Sequence, residues 1–260
     1  MTNHNDVIRQ SFTTQAPAFA ATPWVNDERR IRRLVMAAQL AGKERVLDVA
    51  TGPGFIAEAF AGAAREVIGV DLTDAMLQIA RERTGVRGIA NVSFRSGDAS
   101  QLPFGQAEFD VTVCRLALHH VTNPGLVLRE MARVTRPNGL VLIEDIYASE
   151  HPERAAFQDR WETLRDPSHV RTLPLSELLR LFHDAQLEVT SVTTCDDLTP
   201  EVERWLATTQ TPPEKAAEVR RLLEEDMRHD RSGSRPFQDA SGKLCFHART
   251  AILTGRRFSS

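Results

Sequence analysis

The stretch Val46-Leu47-Asp48-Val49-Ala50-Thr51-Gly52-Pro53-Gly54-Phe55-Ile56-Ala57 constrains the fold more than any other: an apolar, β-rich run passes through a glycine turn straight into a helical pattern. Glycine permits a tight turn and close backbone approach to a ligand, and the helix start behind it favours a negative ligand group. A nucleotide-like ligand is expected there.

The same alternation continues from about Val46 to Ile146. Strands are predicted at 45–50, 66–70, 92–94, 109–114 and 139–144, and helices at 55–61, 74–84 and 125–134, the last closed by Arg136-Pro137-Asn138-Gly139. Thr73 or Asp74 is expected to cap the second helix by accepting backbone N–H bonds. Such alternation marks βαβ units, and near-continuous apolar runs fit strands covered on both faces. The fold class is α/β, a doubly wound Rossmann-like, mostly parallel sheet with its ligand at the carboxyl ends of the strands.

Two helices, at 6–20 and 27–41, are expected before the first strand, separated by Thr22-Pro23-Trp24. Downstream, a helix is predicted at 175–185 and strands at 187–193 and 244–253. A polar, helical insertion of about 197–242 lies between these strands, with Pro200, Pro212 and Pro213 near its helix starts. Residues 1–42 are read as a helical lid segment, 43–196 with 243–257 as the core, and 197–242 as a cap.

A 260-residue chain with 42% hydrophobic residues can bury one substantial core. With 32 basic and 35 acidic side chains, net charge -3, it lacks the field that attracts nucleic acid. Cys114, Cys195 and Cys245 lie far apart, and no metal site is indicated. The start of the chain lacks signal-peptide features, and no apolar run approaches the roughly 20 residues of a membrane span. A cytoplasmic protein acting on a small-molecule acceptor is expected.

Gly52 to Ala57 also satisfies the dinucleotide pattern GxGxx(G/A), and Asp71, 17 residues after Gly54, suits the two hydroxyls of an unphosphorylated ribose. That pair fits NAD or S-adenosylmethionine. A triphosphate fits poorly, because the loop lacks the Gly-Lys-Ser/Thr ending of a P-loop.

Ser96-Gly97-Asp98-Ala99-Ser100-Gln101-Leu102-Pro103-Phe104, followed by Glu108-Phe109-Asp110-Val111-Thr112-Val113, separates the two. This series resembles class I methyltransferases of the ubiquinone/menaquinone biosynthesis type, which use S-adenosylmethionine. The resemblance continues through Leu116-Ala117-Leu118-His119-His120-Val121-Thr122-Asn123-Pro124 and Arg136 to Leu140, covering about 8–146 well and later residues in patches.

The resemblance implies that Asp48, Ala50, Gly52 and Gly54, with Thr51 in the same turn, meet the methionine portion of the cofactor. It implies that Asp71 meets the ribose and that Leu72, Met76, Asp98 and Ala99, with Gly97 in their turn, meet the adenine. Arg115 and His119 fall where cofactor gives way to acceptor. Phe12 to Phe19 is similar to a segment that folds over the cofactor, with Phe19 where the family often carries Tyr. Acids around a glycine turn also suit a ligand with a sulfonium, an amino-acid zwitterion and no phosphate.

His119 is the candidate catalytic residue, and His120 is read as packing. Of Glu144 and Asp145, one is expected to serve the acceptor or to cap a loop. Trp161, Leu164, Trp205 and Leu206 are read as core or cap packing in preference to an aromatic cage, and Glu214 to Arg231 as a solvated face. The expected reaction is in-line methyl displacement by an O, N or C nucleophile of a small acceptor, for which the resemblance implies a quinone-like compound or a natural product. A nicotinamide-dependent oxidoreductase explains the glycine turn and Asp71 but leaves the Asp98 to Phe104 pattern without a role. A cofactor-binding protein that keeps the fold without methylating retains every motif.

Overall fold

In the computed structural model, which describes residues 3–258, seven strands form one sheet in the order β3-β2-β1-β4-β5-β9-β6. These are β1 (Arg45–Val49), β2 (Glu66–Asp71), β3 (Val92–Ser96), β4 (Phe109–Arg115), β5 (Thr135–Ile146), β6 (Leu187–Leu198) and β9 (Ala248–Arg257). The pairs among β1 to β5 are parallel, while β9 runs antiparallel to both β5 and β6. β1 and β4 are adjacent although β2 and β3 intervene in sequence, so the winding reverses beside β1 and opens a crevice at the strands' carboxyl ends.

The period-two geometry of a strand divides the apolar runs between two cores. Leu47, Val49, Ile68, Val70, Cys114, Val141 and Ile143 face α5 (Pro124–Val134) and α7 (Leu175–Asp184). Val46, Val67, Val111, Val113, Leu140 and Leu142 face α2 (Glu28–Ala38) and α3 (Phe55–Ala61). Helix α4 (Asp74–Val86) runs beside β2 and β3, and α1 (His4–Ala20) lies against α4.

A third apolar cluster joins α6 (Pro152–Arg165), α8 (Val202–Thr208) and α9 (Pro213–His229) through Trp161, Trp205, Leu222 and Phe246. The rings of Trp161, Trp205 and Phe246 meet edge to face with centroids 5.0–5.5 Å apart. Among the described residues no helix is long and apolar enough to cross a membrane.

Several expectations change. Thr73 occupies the N-cap of α4, but its side chain makes no capping bond; its carbonyl accepts from Met76 and Leu77. Arg136 to Gly139 do not end α5 as a free turn. They loop out within β5, because Thr135 pairs with Phe109 and Leu140 with Val111. The strand expected at 244–253 is divided, since Leu244–Cys245 (β8) pairs with Phe237–Gln238 (β7) in a separate ribbon before β9 begins. The 197–242 stretch is thus not purely helical, and β6 runs on to Leu198.

Candidate active site

A cleft opens at the carboxyl ends of β1, β2 and β4. Phe19, Asp48, Ala50, Thr51, Gly52, Asp71, Leu72, Met76, Gly97, Asp98, Ala99 and Arg115 all line it. Gly54 stands behind its wall as the N-cap of α3 at φ 81°, where a Cβ would come within 2.9 Å of Ala80 Cβ. Gly52, at φ 52°, has open space where a side chain would project. Ala50 and Leu116, which follow the adjacent strands β1 and β4 and line the cleft, also hold left-handed backbone, at φ 56° and 52°, a conformation that costs roughly 1–3 kcal/mol for a non-glycine residue and concentrates at functional sites.

The acids differ in character. Asp48 is 1% exposed, and its Oδ2 accepts from Thr51 Oγ1 at 2.5 Å. Burial dominates and pushes its pKa up to about 7. Asp71 closes the glycine turn by accepting from Gly52 N and Thr73 N, each at 2.8 Å. Burial raises its pKa in spite of those bonds. Burial also opposes the charge of Asp98, but hydrogen bonds from Ser100 and from Asn5 Nδ2 at 2.7 Å outweigh it and hold the carboxyl below its usual range. Asn5 brings α1 over the cleft mouth, and His4 Nε2 lies 2.8 Å from the His120 carbonyl.

Arg115 is built in rigidly. Its Nε donates to Glu144 Oε2 at 2.7 Å and its Nη1 to the Val25 carbonyl at 2.9 Å, while its Nη2 is buried with no partner among the described residues. Glu144 Oε1 accepts from Arg30 Nη2 at 2.6 Å, so this 2% exposed carboxylate is shared between two guanidiniums. Its role is structural. Asp145, one residue on and facing the other way, accepts from the Leu118 amide at 2.7 Å and lies 2.6 Å from His119 Nδ1.

His119 is not in the cleft wall. It lines an adjoining cavity, which shares Phe12, Phe19, Leu116 and His120 with the cleft. Burial works against its charge, but the charge and hydrogen bond of Asp145 prevail and raise its pKa above the ordinary histidine value. His120 sits edge-on to Phe12, with Nδ1 3.0 Å from Ser168 Oγ. Burial, then the neighbouring His119, holds it neutral.

The rest of the cavity comes from distant segments: Trp24, Trp205 and Phe246 on its aromatic side, and Glu162, Arg165 and Asp166 at the end of α6. Arg165 stacks over Trp205 at 4.3 Å and reaches Glu162 at 3.3 Å and Asp166 at 3.4 Å. Trp205 therefore serves both packing and lining. Sequence reading missed α6 and the charged residues Glu162, Arg165 and Asp166 around its end, although Pro152 at the helix start and Phe157, Trp161 and Leu164 at helical spacing were available as the signal. Asn5 carried no sequence signal.

A sheet that reverses beside β1, with acids at or just past the ends of its first three strands and a glycine turn free of P-loop chemistry, defines a Rossmann-like α/β enzyme fold. The chain belongs to the methyltransferase domain family, whose model matches residues 40–225, and it is an S-adenosylmethionine-dependent methyltransferase. It is 35% identical to the uncharacterized methyltransferase YcgJ of Bacillus subtilis over 72% of this chain and 73% of that one. The crystal structure of YcgJ superposes with a TM-score of 0.80, at 29% identity, covering 89% of this chain and 99% of that chain. A ubiquinone/menaquinone biosynthesis C-methyltransferase, UbiE of Ectopseudomonas mendocina, is 37% identical over 45% of this chain and 47% of its own.

Proposed function

We propose that the cleft binds S-adenosylmethionine and that the adjoining cavity holds a small ring acceptor whose nucleophile, most simply a hydroxyl, gives its proton to His119. The observation that carries the cofactor reading is Arg115: a cation fixed on two sides with Nη2 buried and unpartnered at the cleft wall calls for a carboxylate, and the cofactor carries one. The rest of the donor set fits. Asp48 suits the amino group, Asp71 the ribose hydroxyls beyond its two backbone bonds, and Asp98 with Leu72, Met76 and Ala99 the adenine. Gly52 keeps its part of the cleft clear of any side chain, and Phe19 covers the far wall.

When bound, the cofactor supplies an electrophilic methyl group on a cationic sulfur that is already an activated leaving group. Phe12, Phe19 and Leu116, common to both spaces, hold the acceptor at their junction and exclude water. Asp145 takes Nδ1 of His119, which leaves Nε2 free to accept the proton of the acceptor's nucleophile. The aromatic wall of Trp24, Trp205 and Phe246 favours a planar acceptor, and the quinone-biosynthesis relatives support a ring compound. We further propose that α1 acts as a lid over the cofactor and that α8 and α9 form a cap that sets acceptor choice.

Calorimetric titration with S-adenosylmethionine, S-adenosylhomocysteine and NAD, on the protein and on Asp71→Ala, tests the cofactor assignment. Saturable binding of both sulfur ligands, weakened by the substitution and absent for NAD, is expected; unchanged affinity in the variant would remove Asp71 from the site. A screen of hydroxylated ring compounds with methyl-labelled cofactor then tests the acceptor class, and label appearing only on carbon would overturn the hydroxyl assignment.

A further inference from the structure

At the opposite end of α6 from the acceptor cavity, two guanidinium groups converge with too little acid to match them. Arg249, near the start of β9, makes no hydrogen bond or ion pair through its side chain among the described residues. Its guanidinium lies over the Tyr147 ring at 5.1 Å, and its Nη2 is buried without a partner. Arg154, in the first turn of α6, reaches the same point: Nη2 of each arginine lies 3.4 Å from where a Cβ on Gly233 would stand.

Asp230 occupies one side of Arg154, accepting from its Nη2 through the carbonyl at 2.8 Å and the carboxylate at 2.5 Å, but Arg154 Nε is buried and unpartnered. Arg235 adds a third cation, itself paired with Asp196 at 2.9 Å. The nearby Asp226 is spent on Ser232, whose amide and hydroxyl it accepts. Burial, and then Arg154 and Arg235, outweigh Tyr147 and Asp230 and lower the pKa of Arg249. A half-buried cation next to another cation is costly unless an anion meets it.

We propose that Arg154, Arg249 and the Ser232-Gly233-Ser234 turn form a binding site for a small oxyanion, a phosphate ester or a carboxylate, separate from the cofactor cleft. The guanidinium fork matches two oxygens of such a group. Gly233, at φ 83°, leaves the space between the arginines free of a side chain, and its N–H and the Ser234 hydroxyl have no partner among the described residues. An anion there ties the start of α6 to β9 and to the end of α9. Because α6 also carries Glu162 and Arg165 to the acceptor cavity, occupancy stiffens one wall of that cavity from a distance.

The test uses the full chain in a low-anion buffer, with inorganic phosphate and malonate as probes and sodium chloride at matched ionic strength as control. Thermal midpoint and, for phosphate, ³¹P line width are followed for the protein, Arg249→Gln, Arg249→Lys and the surface control Arg221→Gln. A saturable rise in midpoint with at least one probe is expected, weakened ten-fold or more in Arg249→Gln and retained in Arg221→Gln. Response to phosphate alone assigns a phosphate ester, and response to malonate alone a carboxylate. Should Arg249→Gln fail to fold, Arg249→Lys keeps the charge without the fork and should bind several-fold more weakly. An effect no greater than that of chloride, or equal binding by the protein and the folded Arg249 variants, overturns the proposal.

Discussion

Asp48 is a carboxyl that the folded protein holds at a cost, and replacing it separates stability from function. Its pKa is pushed from 3.8 up to about 7 by burial, so the folded state binds a proton that the unfolded chain has already lost. For an acid raised on folding, stability is fully present below the unfolded pKa and is lost as pH rises from 3.8 to about 7. Across that window the loss amounts to about 4 kcal/mol at 1.36 kcal/mol per pKa unit. In Asp48→Asn the amide oxygen can still accept from Thr51 Oγ1, while its new N–H groups need partners, a cost of about 1–3 kcal/mol.

The net expectation is that Asp48→Asn is more stable than the parent by about 1–3 kcal/mol at pH 8.5, with a midpoint gain of several degrees, and equal or less stable at pH 5. Differential scanning calorimetry at the two pH values measures this directly. The same burial gives a binding signature: pairing with the cofactor's amino group drives Asp48 to its charged form. Titrations near pH 6.5 in two buffers of unlike ionisation enthalpy should therefore show protons released by the parent protein. The variant should bind the cofactor at least ten-fold more weakly and release none through this group. A midpoint change identical at pH 5 and pH 8.5 would refute the burial argument, and unchanged cofactor affinity would refute the placement of the amino group.

In the proposed role His119 must be neutral to accept a proton, and Asp145 raises its pKa, so kcat/KM should climb with pH through a value above 6.5 and then level off. Asp145→Asn should shift that limb to lower pH and reduce the plateau by about 10²-fold, as read from pH–rate profiles; an unshifted limb removes the pair from catalysis. Glu144→Gln leaves two buried guanidiniums without their shared anion and should lower stability by about 3–5 kcal/mol in urea unfolding, whereas a loss below about 1 kcal/mol would deny its structural role. Gly54→Ala forces a Cβ against Ala80 at φ 81° and should cost about 2 kcal/mol or more in the same assay, with a matching loss of cofactor binding.

The cleft was legible in the sequence because it is assembled from consecutive strand ends. β1, β2 and β4 are buried on both faces, so their apolar runs stand out, and Asp48, Asp71 and Arg115 fall at their carboxyl ends by position alone. Asp98, in the turn after β3, and the role of Arg115 came instead from the resemblance to class I methyltransferases. Glu144 and Asp145 were not separable in the same way. Adjacent strand residues face opposite sides, and only the partners decide which side is which: Arg30 and Arg115 for the first, His119 for the second.

The cavity proposed for the acceptor was illegible for a related reason. Its walls come from α1, the turn after β4, the end of α6, α8 and Phe246, segments as much as 234 residues apart between Phe12 and Phe246, and no local period links them. Even the strand expected at 244–253 breaks where it does because Cys245 pairs with Phe237, which frees Phe246 to turn into the aromatic cluster beside the cavity. The cofactor side is thus tied to the sheet, where a substitution disturbs a core strand. The acceptor side rests on side chains borrowed from helices outside the sheet, and substitutions at Trp205 or Phe246 can reshape it while the cofactor site stays intact.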